Sequence, residues 1–190
     1  RALASALRDA EGPDGRSISL ILDETHRDFI PVNEFRSFSL EWPRSLITHS
    51  FGKYHGLQGQ RIGYVAVSPQ HPRREEVAED LVRDTRVTGF CTPTALMQRA
   101  LPELLSLEHD LGWLESWRER FTSELLEAGY QVVESRGTFF LYVGTPGGLS
   151  DWEFVEALAD IGLLVLPSAV FHHEGHVRIS LTGDEVMLER

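Results

Sequence analysis

A chain of 190 residues with 42% hydrophobic and 25% charged residues is long enough to bury a full core, as one domain or as two small lobes. Its formal charge of −11 repels phosphate backbones, no arginine cluster interleaved with aromatics forms a nucleic-acid track, and no apolar run approaches the roughly 20 residues that span a bilayer. A single cysteine, Cys91, cannot close an internal disulfide, and with no charged-then-apolar leader at the first residues the expected setting is a reducing cytoplasm.

In chain order, "RALASALRDAEG" has helical apolar spacing and a glycine stop, and "SISLILDE" is the near-continuous apolar run of a short buried strand ending at Asp23. "SLITHS" and "RIGYVAVS" are strand candidates on either side of a glycine-containing loop. "PRREEVAEDLVRDT" predicts a helix with Pro72 at its first position. From Thr92 to Ala128 the pattern is helical nearly throughout, broken or kinked at Pro102 and Gly112, and this stretch joins two lobes. Beyond it, "YQVVES", "TFFLYV", "LLVLP" and "HVRISL" read as strands, with the amphipathic helix "SDWEFVEALADIG" among them, as in a small α+β domain. "GDEVMLER" opens a terminal helix of about two turns at 3.6 residues per turn, and the first helix has no cap before it. Both ends therefore read as cut, and the chain as part of a longer protein. The sequence holds no internal repeat and no low-complexity segment.

The loop between the two central strands, "SFGKYHGLQGQRIGY", contains the one lysine of the chain, Lys53, against seventeen arginines. Arginine replaces lysine in most solvated or ion-paired roles, but its guanidinium stays protonated and is no amine nucleophile. A lysine kept in so arginine-biased a composition points to amine chemistry.

Asp23 at a strand end, the Ser50-x-x-Lys53 loop, Arg61 in a Gly-x-Arg-x-Gly setting and Arg178 in a late strand form a pattern. It resembles the class I/II aminotransferases, fold type I enzymes dependent on pyridoxal 5'-phosphate. "GTFFLYV" and "LPSAVFHHEGHVRISL" resemble the family's small-domain strand and its carboxylate-binding loop and strand. The resemblance covers essentially the whole chain. It implies an α/β fold: residues 1–105 as the latter part of a large domain with a mostly parallel sheet, and residues 106–190 as a small α+β domain. It implies that the family's earlier half, with its stacking aromatic, its Asn and its phosphate-binding helix, has no counterpart here.

The roles follow from the same resemblance. Lys53 would form the cofactor imine and then move the substrate α-proton, and Asp23 would keep the pyridine nitrogen protonated. Ser50 and Arg61 would hold the phosphate, with glycines 52, 56, 59 and 63 letting the backbone approach. Arg178 would grip the α-carboxylate. His26 stands where the family has a Tyr toward the cofactor 3'-oxygen, and its imidazole titrates near neutrality. Each residue also has a plainer role open to it: Asp23 as a cap, Ser50 as a turn closer, Arg178 as an ordinary strand residue, Lys53 as a surface charge. "HHEGH" at 172–176 lacks a clear fourth metal ligand and reads as a solvated loop, and Cys91 reads as core.

The resemblance thus implies an aminotransferase working on amino acids and 2-oxo acids, as a homodimer, without nucleic-acid, membrane or metal partners. Another reaction on the same scaffold, such as a carbon–sulfur lyase, a decarboxylase or a cyclising synthase, shares the same residues. So does a non-catalytic effector-binding domain of a regulator.

Overall fold

Leu20–Asp23, Ser45–Ser50 and Gly63–Val67 form strands β1, β2 and β3 of a three-stranded sheet in that order. The computed structural model describes residues 2–12, 17–89, 92–107, 109–135 and 137–189; Cys91, expected in the core, lies outside them. The chain divides into two compact units, Arg1–Glu108 and His109–Arg190.

In the first unit β1 pairs parallel to β2, from Leu20↔Ser45 to Asp23↔Thr48, and β3 returns antiparallel with Ser50 opposite Gly63. The expected mostly parallel sheet is therefore mixed over these strands. Residues 51–62 lead straight back from β2 to β3, whereas a parallel return needs a crossover, usually helical, to carry the chain to the far end. Helices α1 (Ala2–Glu11), α2 (Arg74–Val87) and α3 (Ala95–Leu105) complete this unit.

Neither Pro72 nor Pro102 marks the end of a helix. Pro72 lies before the helix, because the N-cap is Arg73 and α2 starts at Arg74. Pro102 sits inside α3 without ending it. The ring removes one helical hydrogen bond, but Met97, Leu101 and Leu104 of the same helix pack against Phe51 and Ile62 and hold the last turns in place. Gly112 is the first residue of α4 (Gly112–Glu127), so there the expected break is real.

The second unit is built on four antiparallel strands in the order β4-β5-β7-β6: β4 Val132–Val133, β5 Phe140–Gly144, β6 Leu166–Pro167 and β7 His176–Ser180. Leu141, Val143 and Val177 alternate onto one face and, with Leu114 of α4 and Leu181, are almost fully buried. Helix α5 (Asp151–Asp160) begins with a capping box. Ser150 Oγ accepts from Glu153 N, and the Glu153 carboxylate accepts from Ser150 N. The last helix, α6, is a single turn, Glu185–Leu188, rather than two, with Asp184 capping it through Met187 N. Among the described residues no helix is long and apolar enough to cross a membrane.

Candidate active site

Parallel pairing of β1 and β2 puts their carboxyl ends at one edge of the sheet, the edge at which α/β proteins bind ligands. Asp23 ends β1, Ser50 ends β2, and the loop that leaves this edge carries Lys53 and Arg61 before entering β3. Four of the six residues singled out by sequence are thus gathered by topology alone. His26 follows three residues after Asp23, with its ring 5.7 Å from that of Phe29.

The sheet presents Asp23, Thr48 and Ser50 on one face, since paired residues share a face and alternate ones return to it. This face is open. Within these residues Ile21 is 72% exposed, and Val65 and Asp23 are exposed as well. The β1 run is apolar on both faces, as in a strand covered on both sides, and among the described residues only its inner face is packed.

Asp23 nonetheless has a defined electrostatic state. Thr25 donates to its Oδ1 through both hydroxyl (2.5 Å) and backbone N–H (3.0 Å). These bonds, the hydroxyl first, hold the carboxyl below its ordinary value against a smaller opposing effect of desolvation, and the charges of His26 and His49 act in the same direction. The depressed value means that ionised Asp23 adds stability above the unfolded carboxylate range, a contribution lost as pH falls through the folded value. Thr25→Val removes the larger contribution, so a carboxyl 13C titration should find Asp23 moved up toward the ordinary range. An unmoved titration would show that Thr25 does not set it.

The lysine loop is shaped by its two ends. Phe51 N donates to Ile62 O at 3.2 Å, and both side chains are buried against Met97, with Leu57 and Tyr64 packed around them. Ser50 Oγ accepts from Gly52 N at 3.1 Å, so the serine does close a turn. The four glycines divide. A Cβ on Gly63 would stand 2.4 Å from the His49 carbonyl oxygen, and one on Gly52 3.0 Å from Gln58 Cα, so both need the missing side chain. Gly56 has φ +65 and serves the turn, while Gly59 has open space around it within this chain. In the amide orientation that satisfies its surroundings, Gln58 donates to Gly52 O and Gly56 O, stapling the turn that bears Lys53.

Arg61 adopts a left-handed conformation, φ 52 and ψ 50, uncommon for a side-chain-bearing residue, and its Nη1 donates to Gln58 O at 3.2 Å. Ser50, Leu57, Gln58, Arg61, Ile62 and Gly63 line a polar cleft of about 210 Å³.

Sequence reasoning missed what lies on the opposite face. His49 is buried, its Nδ1 donates to the Glu24 carbonyl at 3.0 Å, and its Nε2 lies 3.3 Å from Asp28 Oδ2. Glu24 is buried as well and accepts from Ser37 Oγ. Strand alternation was the available signal, since it puts the residue before Ser50 on the inner face.

In the second unit Arg178 stands opposite Tyr142 of β5 and Leu166 of β6, half-buried, with its Cζ 4.1 Å from the ring centroid of Phe140 and 4.9 Å from that of Phe171. The "HHEGH" stretch adjoins it. His176 stacks on Tyr142 at 4.7 Å, and the Tyr142 hydroxyl lies 2.7 Å from His173 Nδ1. Among the described residues no group of three or more His, Cys, Asp or Glu could hold a metal ion.

Residues 11–190 match the family described as "Aminotransferase class I and II". The chain belongs to that family. Its members are in general dependent on pyridoxal phosphate. An aspartate aminotransferase of Thermotoga maritima is 28% identical over 173 residues, 87% of this chain and 43% of that protein. A histidinol-phosphate aminotransferase of Rubrobacter xylanophilus is 31% identical over 155 residues, 75% of this chain and 39% of that protein. The crystal structure of an aminotransferase from Eubacterium rectale superposes with a TM-score of 0.88 at 24% identity, over 99% of this chain and 47% of that one. The chain thus spans about half the length of the relatives that it matches, and the fold type I α/β architecture is shared with them over that half.

Proposed function

We propose that the full-length protein is a pyridoxal-phosphate-dependent aminotransferase, moving an amino group between an amino acid and a 2-oxo acid. The observation that carries this reading is the lysine loop: the one lysine of the chain lies on a clamped loop at the strand ends that also bear Asp23 and a serine–arginine cleft. The residues fit the cofactor. The cleft is small and polar, offers a hydroxyl and a guanidinium to a phosphate, and is bordered by Gly63, at which a Cβ would collide with the neighbouring strand's backbone.

Pyridoxal phosphate, when bound, supplies an electron sink for charge developing at the substrate Cα. Lys53 Nζ is the amine that would hold the aldehyde and afterwards carry the Cα proton. Asp23, kept ionised by Thr25, would hold the proton on the pyridine nitrogen. Ser50 and Arg61 would bind the phosphate, and His26 would reach toward the 3'-oxygen. Arg178 would take the substrate α-carboxylate. On this reading residues 1–105 are the latter part of the cofactor-binding large domain, residues 106–190 are the small domain, and the working unit is a homodimer.

The test is transfer itself: 15N-labelled amino acids are incubated with 2-oxo acids and the full-length protein, and the label is followed into new amino acids by mass spectrometry. Absence of transfer from every donor would sink the reading and favour an effector-binding role. Arg178→Ala should raise KM for the donor about ten- to a hundredfold with a smaller change in kcat, because hydrogen bonds to a charged group contribute about 1.5–3 kcal/mol. A KM that does not move would take the carboxylate away from Arg178.

A further inference from the structure

Asp151 opens α5 and is buried, with 2% of its surface exposed. A carboxylate in the first turn of a helix suits the dipole equally well when solvated, so burying one is an added cost that requires specific partners. Both partners lie in a single short turn, Ser168–Phe171. Asp151 Oδ2 accepts from Ala169 N at 2.5 Å and from Ser168 Oγ at 3.3 Å. Ser168, with no exposed surface, in turn accepts from His176 N at 3.0 Å, which ties the turn to the first residue of β7, two before Arg178. Phe171 ends this turn, and its ring is one of the two that stand against the Arg178 guanidinium.

We propose that Asp151 is a positioning residue for Arg178: by anchoring the Ser168–Phe171 turn it fixes an aromatic wall that pre-orients the guanidinium for a carboxylate ligand. This rests on the reading of Arg178 as the carboxylate clamp. An arginine stem loses rotamer freedom when its head is immobilised by a ligand. A head already held against Phe140 and Phe171 has less to lose and keeps its N–H edge available for a bidentate contact. Phe171 is half exposed, so the turn beneath it is what would keep its ring in place.

The experiment uses the full-length protein with cofactor bound. Single-turnover absorbance changes with the best donor among the common L-amino acids give an apparent Kd and a limiting rate. Asp151→Asn should raise the Kd about three- to tenfold, the cost of immobilising one long side chain afresh, and leave the limiting rate within about twofold. Asp151→Glu should recover part of the loss. In an Arg178→Ala background, Asp151→Asn should add nothing. A fall in rate at constant Kd, or full additivity in the double variant, overturns the proposal. An Arg178→Ala variant with unchanged Kd instead removes the underlying reading of Arg178, so the two failures are distinct.

A second readout needs no cofactor. In the apoprotein the Arg178 Hε resonance should carry a ring-current shift from Phe140 and Phe171, and Asp151→Asn should move it toward the free-arginine position. An unmoved resonance counts against Asp151. Phe171→Leu leaves the buried anchor intact and should raise the Kd in the same way; a wild-type Kd in that variant would also overturn the proposal.

Discussion

Borohydride added to the full-length protein with its cofactor should leave a phosphopyridoxyl label on Lys53, and Lys53→Arg should abolish both label and turnover. No other side chain of these residues carries a primary amine, so the peptide containing position 53 is the place to look by mass spectrometry. Arginine keeps the charge and most of the length but offers neither a nucleophilic amine nor a base, because its guanidinium does not give up its proton. Loss of a nucleophile that doubles as the proton carrier should cost on the order of 10⁴-fold or more in kcat. The fold should persist, since Lys53 is exposed and the loop is held by Phe51, Ile62 and the Ser50–Gly63 pairing. Circular dichroism and thermal melting of the variant check that point. A Lys53→Arg protein with appreciable turnover, or label found only outside this stretch, would end the proposed mechanism.

The second large effect belongs to Asp23. Asp23→Asn keeps the shape and the hydrogen bonds from Thr25 but removes the negative charge, and a unit charge about 4 Å away contributes about 4 kcal/mol at an effective dielectric of about 20. If that interaction holds the pyridinium, kcat should fall on the order of 10² to 10³-fold with a much smaller change in donor KM. The contrast with Arg178→Ala, whose cost should appear in KM, is the informative part. Matching profiles for the two variants would mean that one of the two roles is wrongly assigned.

Local signals that coincide with tertiary demand were legible in the sequence. β2 occupies the stretch "SLITHS" end to end, because a short β-branched core bounded by a turn has few other uses. The helix "SDWEFVEALADIG" announced itself through the S-x-x-E box that the structure realises at Ser150 and Glu153. The grouping of Asp23, Ser50, Lys53 and Arg61 was implied by the family resemblance, and the parallel pairing of β1 with β2 brings the elements that bear them to one edge. What was hidden depends on layers and long-range partners. The exposure of Ile21 depends on what covers its sheet face, which no period within four residues reports. Pro102 persists in α3 because side chains distant in sequence hold that helix. Asp151 reads locally as a routine helix-start acid, and its burial is decided by a turn 17 residues later.

In the lysine loop the fixed and the movable parts are cleanly separated. The backbone feet at Phe51 and Ile62 are set in the core, and the Lys53 side chain is exposed beyond them. In the proposed reaction the amine must be released and recovered once in every cycle. With the main chain clamped, that excursion is a rotation about side-chain torsions, which for exposed residues occurs in picoseconds to nanoseconds, rather than a loop rearrangement thousands of times slower. On the proposed mechanism, handing the amine over would then require no refolding of the loop between turnovers.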